Sequence, residues 1–192
     1  MKYLKKIRLY TGYLFGLFIL LLAKPTVLSY GIGLFVVLLG EVIRTWAAGY
    51  LVKDELLVKD GPYRLVRNPL YLGSFLIGLG AVIIGHSLLL LFAFILLFLG
   101  AYLPTIFREE KFLAQKFTAD YSDYQKTVPS FFPFKLYPHL LSFPSELKFS
   151  WQRVKKNREF YTWIVLFLIL IILGLKILNY TPTYLLPPRG ED

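Results

Sequence analysis

Residues 87–107 read SLLLLFAFILLFLGAYLPTIF. No charged side chain interrupts them, and about 20 consecutive apolar residues are what a helix needs to cross the hydrocarbon core of a bilayer. Working outward, four more runs have the same character: residues 7–23, 28–48, 69–84 and 160–178. The chain of 192 residues is 56% hydrophobic but only 18% charged, against about 25% charged in an ordinary soluble domain. That excess, concentrated in runs, excludes a disordered chain and argues against a soluble enzyme. The fold class is therefore all-α: an integral membrane helical bundle of about five transmembrane helices. There is no cysteine, which excludes disulfides, thiolate metal sites and a cysteine nucleophile. The two histidines, His86 and His139, are too far apart to suggest a zinc site, and no metal is expected.

The net charge of +10 would suggest nucleic acid in a soluble protein. Here the basic residues sit between the apolar runs, so they read as membrane-face charge and no nucleic acid is expected. The N-terminal segment carries Lys2, Lys5, Lys6 and Arg8, and Lys53, Lys59, Arg64 and Arg67 follow the second run. A third cluster, from Arg108 to Arg158, follows the fourth. The opposite face has only Lys24, Arg189 and Lys176, the last placed to snorkel. The positive-inside rule then puts the N-terminus in the cytoplasm and the C-terminus outside. The opening MKYLKKIR resembles a signal peptide's basic region, but Lys24-Pro25 and a second apolar run follow it, so a retained anchor is expected. Tyr161 and Trp163 inside, with Tyr180 and Tyr184 outside, fit aromatic belts around the last span.

Two cytoplasmic segments are left to carry chemistry, residues 49–68 and 108–159. In the second, Leu113, Phe117, Tyr121 and Tyr124 recur at four, four and three residues and share one face of an amphipathic helix. Pro129, Pro133, Pro138 and Pro144 then exclude a regular helix, and the aromatic residues among them suggest a segment lying on the membrane surface.

The third and fourth runs are joined only by Gly85-His86, which predicts an antiparallel helical hairpin. Its two cytoplasmic ends, Asn68-Pro69 and Arg108-Glu109-Glu110, should lie side by side. Asn68 is a favoured N-cap and Pro69 suits the first helical position. A helix start attracts anions, and Arg64 and Arg67 add positive charge beside it. Glu109 and Glu110 occupy a helix end that prefers cations, so they call for compensation by a cationic ligand or by an ion pair with Arg64 or Arg67. Pro104 leaves the Gly100 carbonyl needing a partner, as a packing kink or as a pocket acceptor. Together the hairpin ends describe an anion-binding half facing a cation-binding half, which would suit a zwitterionic amino acid moiety. Tyr63, Tyr71, Tyr121 and Tyr124 offer faces for a planar base or an onium cation, or else anchor the interface. Within the second run, Glu41 and Arg44 either pair with each other, join helices or support the site. Gly12 and Gly16 form a GxxxG, a hint of helix packing.

Residues 61–73, GPYRLVRNPLYLG, resemble the signature of the isoprenylcysteine carboxyl methyltransferase and phospholipid N-methyltransferase superfamily. Glu109-Glu110, then Phe117, Tyr121, Tyr124 and Val128-Pro129, resemble its second half, and residues 44–47, RTWA, its lead-in. The resemblance spans residues 40–133. Asn68 stands where the carboxyl methyltransferases usually have His, Gly73-Ser74 looks more like the phospholipid branch, and Thr118 stands where Gly is usual. The resemblance implies a membrane methyltransferase core in residues 1–150. Residues 151–192 add a basic juxtamembrane helix, an extra transmembrane helix and an external tail. It further implies S-adenosylmethionine bound at the cytoplasmic face, without a Rossmann domain. The acceptor is a lipid or lipophilic molecule entering from the bilayer, an isoprenylcysteine-type carboxylate or a phospholipid-type amine. The motif residues carried over are Arg67, Asn68, Pro69, Tyr71, Glu109 and Glu110. On this reading Arg67, Asn68 and the helix start take the cofactor's carboxylate, and Glu109 and Glu110 its ammonium or sulfonium. Tyr63, Tyr71 and Tyr121 line the adenine or transfer region, and Glu110 or Arg64 assists an acceptor that needs a base. The competing readings are an NADPH-dependent membrane reductase of related architecture and a non-enzymatic scaffold or transporter.

Overall fold

A computed structural model describes residues 2–52, 55–133 and 147–180, and all regular structure among them is helical. Helix α1 (Lys2–Leu22) turns at Lys24-Pro25 into α2 (Val27–Tyr50), whose start is a reciprocal cap. The Thr26 amide donates to Ser29 Oγ at 2.9 Å, and the Ser29 amide to Thr26 Oγ1 at 3.1 Å. A short 3-10 turn (Gly61–Arg64) precedes α3 (Pro69–Gly85). His86 ends α3 in the left-handed conformation, φ 47°, donating its amide to Val82 and Ile83 carbonyls. The chain reverses there into α4 (Leu88–Leu97), as the two-residue link predicts.

Helix α4 runs through a π-turn (Phe98–Tyr102) into α5 (Leu103–Thr127), an apolar-to-amphipathic stretch of 40 residues kinked at Thr118. The π-turn is the local answer to Pro104: the chain widens, and the Leu103 amide reaches back five residues to the Phe98 carbonyl. Beyond residue 147 a short α6 (Trp151–Lys156) leads into α7 (Glu159–Tyr180). Val27–Tyr50, Leu88–Thr127 and Glu159–Leu178 are long and apolar enough to cross a membrane, and the apolar helices Tyr10–Leu22 and Pro69–Gly85 are shorter. The five apolar segments are those read from the sequence.

Helices α2 and α3 are in closest contact, antiparallel, and two glycine pairs explain why. A Cβ on Gly33 would stand 2.5 Å from the Gly80 carbonyl oxygen, and one on Gly40 2.7 Å from that of Gly73. The GxxxG of α1 has no such use: nothing lies within 4 Å of a Cβ on Gly16. Ile19, Val37, Ile84, Leu90, Phe94 and Leu173 bury one core between α1, α2, α3, α4 and α7. Near it Lys176 Nζ donates to the Ala23 carbonyl at 3.3 Å. A second cluster, Tyr121, Tyr124 and Val128 with Leu113 and Phe117, is the apolar face expected of the amphipathic helix. At the start of the proline-rich segment Phe131 is half-buried, its ring packed against Phe75 of α3 and Phe98 of the π-turn at 5.8 and 5.4 Å. Residues 134–146 of that segment, with His139, and the tail from residue 181 lie outside the described residues.

Candidate functional site

The hairpin ends do meet. Asn68 precedes Pro69 at the start of α3 but makes no side-chain cap. Its Nδ2 donates instead to Glu110 Oε1 at 2.7 Å and to the Ser130 carbonyl at 3.1 Å. Arg67 grips the same carboxylate from the other side, Nε to Oε1 at 3.2 Å and Nη2 to Oε2 at 3.0 Å. Its Nη1 donates to the carbonyls of Gln125 and Val128 at 3.0 and 2.7 Å. The backbone repeats the tie, with the Arg67 and Asn68 amides donating to the Pro129 and Ser130 carbonyls. The segment after α5 is thereby folded back over the start of α3, and Glu110 is the partly buried anion at the centre of that brace.

Glu109, one residue earlier, faces another way. It accepts a hydrogen bond from the Tyr71 hydroxyl at 2.6 Å. Among the described residues it is in no ion pair.

Behind these groups lies a cavity of about 540 Å³, within the size range of small-molecule sites. Its end near the start of α3 is lined by Val58, Tyr63, Arg67, Asn68, Tyr71, Glu109, Leu113, Tyr121 and Tyr124. Its other end reaches Gly12 and Tyr13 of α1, Arg44 of α2, Ser74 of α3, Tyr102, and Glu159 of α7. Ser74 lies six residues along α3 from Asn68, about 9 Å deeper at 1.5 Å per residue.

Tyr63 arrives through the 3-10 turn. Gly61 starts it at φ +59°, and a Cβ there would stand 2.7 Å from the Tyr50 ring, so this position needs glycine. Tyr124 donates its hydroxyl to the Tyr63 carbonyl at 2.6 Å. Among the described residues the buried hydroxyls of Tyr63 and Tyr121 meet no hydrogen-bond partner of good geometry, Arg67 being the polar group beside Tyr121. Burial raises all three phenols above their ordinary pKa, Tyr121 to about 12. Glu109, Glu159 and Tyr71 push Tyr63 the same way, while Arg67 beside Tyr121 pulls against its rise. All three therefore stay neutral donors at physiological pH.

Of the residues singled out from the sequence, the structure gathers Tyr63, Arg67, Asn68, Tyr71, Glu109 and Tyr121 on the cavity wall. Glu110 sits behind that wall, spent on Arg67, Asn68 and Ser130. Arg64 is turned aside: its Nη2 and Nε bind Asp60 Oδ1 at 2.6 and 3.2 Å, and it is not among the lining residues. Arg44 does not pair with Glu41. Its Nε and Nη2 hold the carboxylate of Glu159 at 2.6 and 3.0 Å, and its Nη1 binds Ser74 Oγ. Glu41 accepts instead from Thr45 Oγ1 at 3.2 Å. Glu159, Asn157 and Tyr102 are lining residues that sequence reasoning missed. The only signal for Glu159 was an acid amid basic residues at the edge of a span, and its partner lies 115 positions away.

Residues 28–120 match the phospholipid methyltransferase family. The chain is 38% identical over 106 residues to the cobalt-zinc-cadmium resistance protein CzcN of Cupriavidus metallidurans, covering 53% of this chain and 48% of that protein. It is 35% identical over 115 residues to the protein-S-isoprenylcysteine O-methyltransferase of Saccharomyces cerevisiae, covering 54% and 48%. With the Schizosaccharomyces pombe enzyme of the same name the identity is 37% over 81 residues, covering 42% and 34%. The chain thus spans about half, or less, of the length of these relatives. No solved structure matches. The superfamily resemblance carried by residues 61–73 and the paired glutamates is borne out.

Proposed function

We propose that this chain, whose core is that of the membrane methyltransferases of the isoprenylcysteine and phospholipid type, methylates a lipid or lipophilic acceptor with S-adenosylmethionine at the cytoplasmic membrane face. The observation that carries the reading is the cavity's charge. Arg67 is balanced by Glu110 and Arg44 by Glu159, which leaves Glu109 as one negative charge on the wall. When bound, S-adenosylmethionine supplies a methyl group on a sulfonium, and its own net charge of about +1 complements that wall. The unpartnered hydroxyls of Tyr63 and Tyr121 also fit it, since a buried donor without a partner calls for a polar ligand.

In this reading Glu109 balances the ligand's positive charge and Tyr71 fixes the carboxylate's direction. Tyr63 and Tyr121 supply hydrogen bonds and aromatic faces to the cofactor. Arg67 and Asn68 border the site with their side chains engaged by Glu110, so Glu110 positions them rather than touching ligand. Arg64, held by Asp60, is assigned to the fold and not to proton transfer. The acceptor occupies the deeper end between α1, α3 and the π-turn, beside Gly12, Tyr13, Ser74 and Tyr102. No protein nucleophile is required. These residues contribute alignment and exclusion of water, effects that supply large rate enhancements in intramolecular chemistry. A nicotinamide dinucleotide fits less well, because its phosphates need free cations and both cavity arginines are paired.

The test is titration of S-adenosylmethionine into the purified protein by calorimetry. Glu109→Gln is expected to weaken binding by about tenfold or more, the loss of one charge-assisted contact. No binding by the unaltered protein, or equal affinity in the variant, overturns the reading. Radiolabelled cofactor incubated with source membranes then identifies the acceptor.

A further inference from the structure

The last two helices lie beyond the region shared with the phospholipid methyltransferase family, yet they close one side of the cavity. The α6–α7 junction clamps the end of α2. Arg153 Nε donates to the Gly49 carbonyl at 2.7 Å, and Asn157 Nδ2 to those of Ala48 and Leu51 at 2.9 and 3.1 Å. That clamp sets Glu159, 3% exposed, against Arg44. The Arg44 stem crosses α3 at Gly73, where a Cβ would come within 2.5 Å of Arg44 Cγ. The guanidinium is thus held by missing bulk beneath it, by Ser74 on one arm and by a two-point ion pair on the others.

Arg44 and Glu109 line the same cavity, and the charges of Glu109 and Glu159 both act on Tyr63, whose hydroxyl meets no partner among the described residues. A guanidinium without its carboxylate at that depth is costly, and its positive charge then faces the cavity, with Glu41 one turn back on α2 as a competing anion. The cavity carboxylate that this charge would offset is Glu109, which among the described residues has no ion-pair partner.

We propose that Glu159 is a positioning residue that holds Arg44 neutralised, so that the charge of the cavity carboxylate Glu109 stays available to a cationic ligand. The extra helix α7 is in this sense part of the binding site. The inference rests on the cofactor reading above and deepens it.

The test is a double-mutant cycle read as the ratio of affinities for S-adenosylmethionine and S-adenosylhomocysteine, which differ by the sulfonium charge. Glu159→Gln is expected to lower that ratio by about tenfold, the scale of one unit charge acting across a partly polar medium. Arg44→Gln is expected to raise it, because Glu159 then adds negative charge. The double variant returns it to within about threefold of the unaltered protein, as compensating charges should. Equal weakening of both ligands in Glu159→Gln, an unchanged ratio, or no recovery in the double variant overturns the proposal. Should Glu159→Gln not survive purification, Arg44→Gln decides alone, and a fall in its ratio is fatal. Absence of S-adenosylmethionine binding by the unaltered protein is a different failure, that of the cofactor reading itself.

Discussion

Tyr63 and Tyr121 each bury a hydroxyl that meets no hydrogen-bond partner of good geometry among the described residues. A buried unpaired donor costs about 1–3 kcal/mol. Fold stability and ligand binding therefore pull in opposite directions at these two residues. Tyr63→Phe and Tyr121→Phe are each expected to raise the thermal stability of the ligand-free protein by about 1 kcal/mol while weakening S-adenosylmethionine severalfold. Differential scanning fluorimetry with and without ligand reads both effects, and lowered stability of the ligand-free variants would mean that the hydroxyls have partners within the protein. Both tyrosines were legible in the sequence, because they sit in a motif and on an amphipathic face. The division of labour between Glu109 and Glu110 was not. Adjacent residues on a helix point about 100° apart. Only the position of Arg67 decides which carboxylate is consumed and which faces the cavity.

At the scale of an element, the informative departures are where a helix is forced off its regular path. Thr118 lies inside α5 at φ 28°, ψ −100°, a conformation that a β-branched residue rarely adopts. The kink turns the last part of α5 so that Tyr121 and Tyr124 reach Tyr63 and the cavity. Glycine, usual at this position in the resembled family, adopts such a backbone without strain. Thr118→Gly is expected to stabilise the protein by about 1 kcal/mol, the typical cost of a left-handed residue carrying a Cβ. It should leave cofactor affinity unchanged, and a loss of stability in thermal unfolding would show that the kink is not strained. The sequence announced this spot only as a mismatch with a family pattern. Pro104 was legible as a disturbance, but whether a helix answers by kinking or by a π-turn depends on what packs around it. The glycines show the same limit. GxxxG in α1 was readable and idle, while Gly33, Gly40, Gly73 and Gly80, two turns apart on each helix, bring α2 and α3 together. Periodicity marks a face but does not name the helix that meets it.

At the scale of the whole molecule, the five apolar segments and the hairpin were legible because bilayer thickness and loop length leave few alternatives. Which helices flank the cavity was not, since in a membrane chain most faces are apolar and lipid competes with protein for all of them. The arrangement also ties the site to a membrane face. The cavity opens at the end of α3 that carries Arg64, Arg67 and the basic α6. The opposite end is where Lys176 meets Ala23 and the Lys24 amide donates to the Gly85 carbonyl. If basic loops are retained inside, a single cysteine in place of exposed Lys24 is expected to react with an impermeant maleimide added to intact cells or right-side-out vesicles. One in place of exposed Asp123, on α5, is expected to react only after the membrane is opened. The chain has no cysteine of its own, so each label reports one position. The reverse pattern would put the cavity on the outer face. An intracellular cofactor would not reach it there, and the methyltransferase reading would fall together with the orientation.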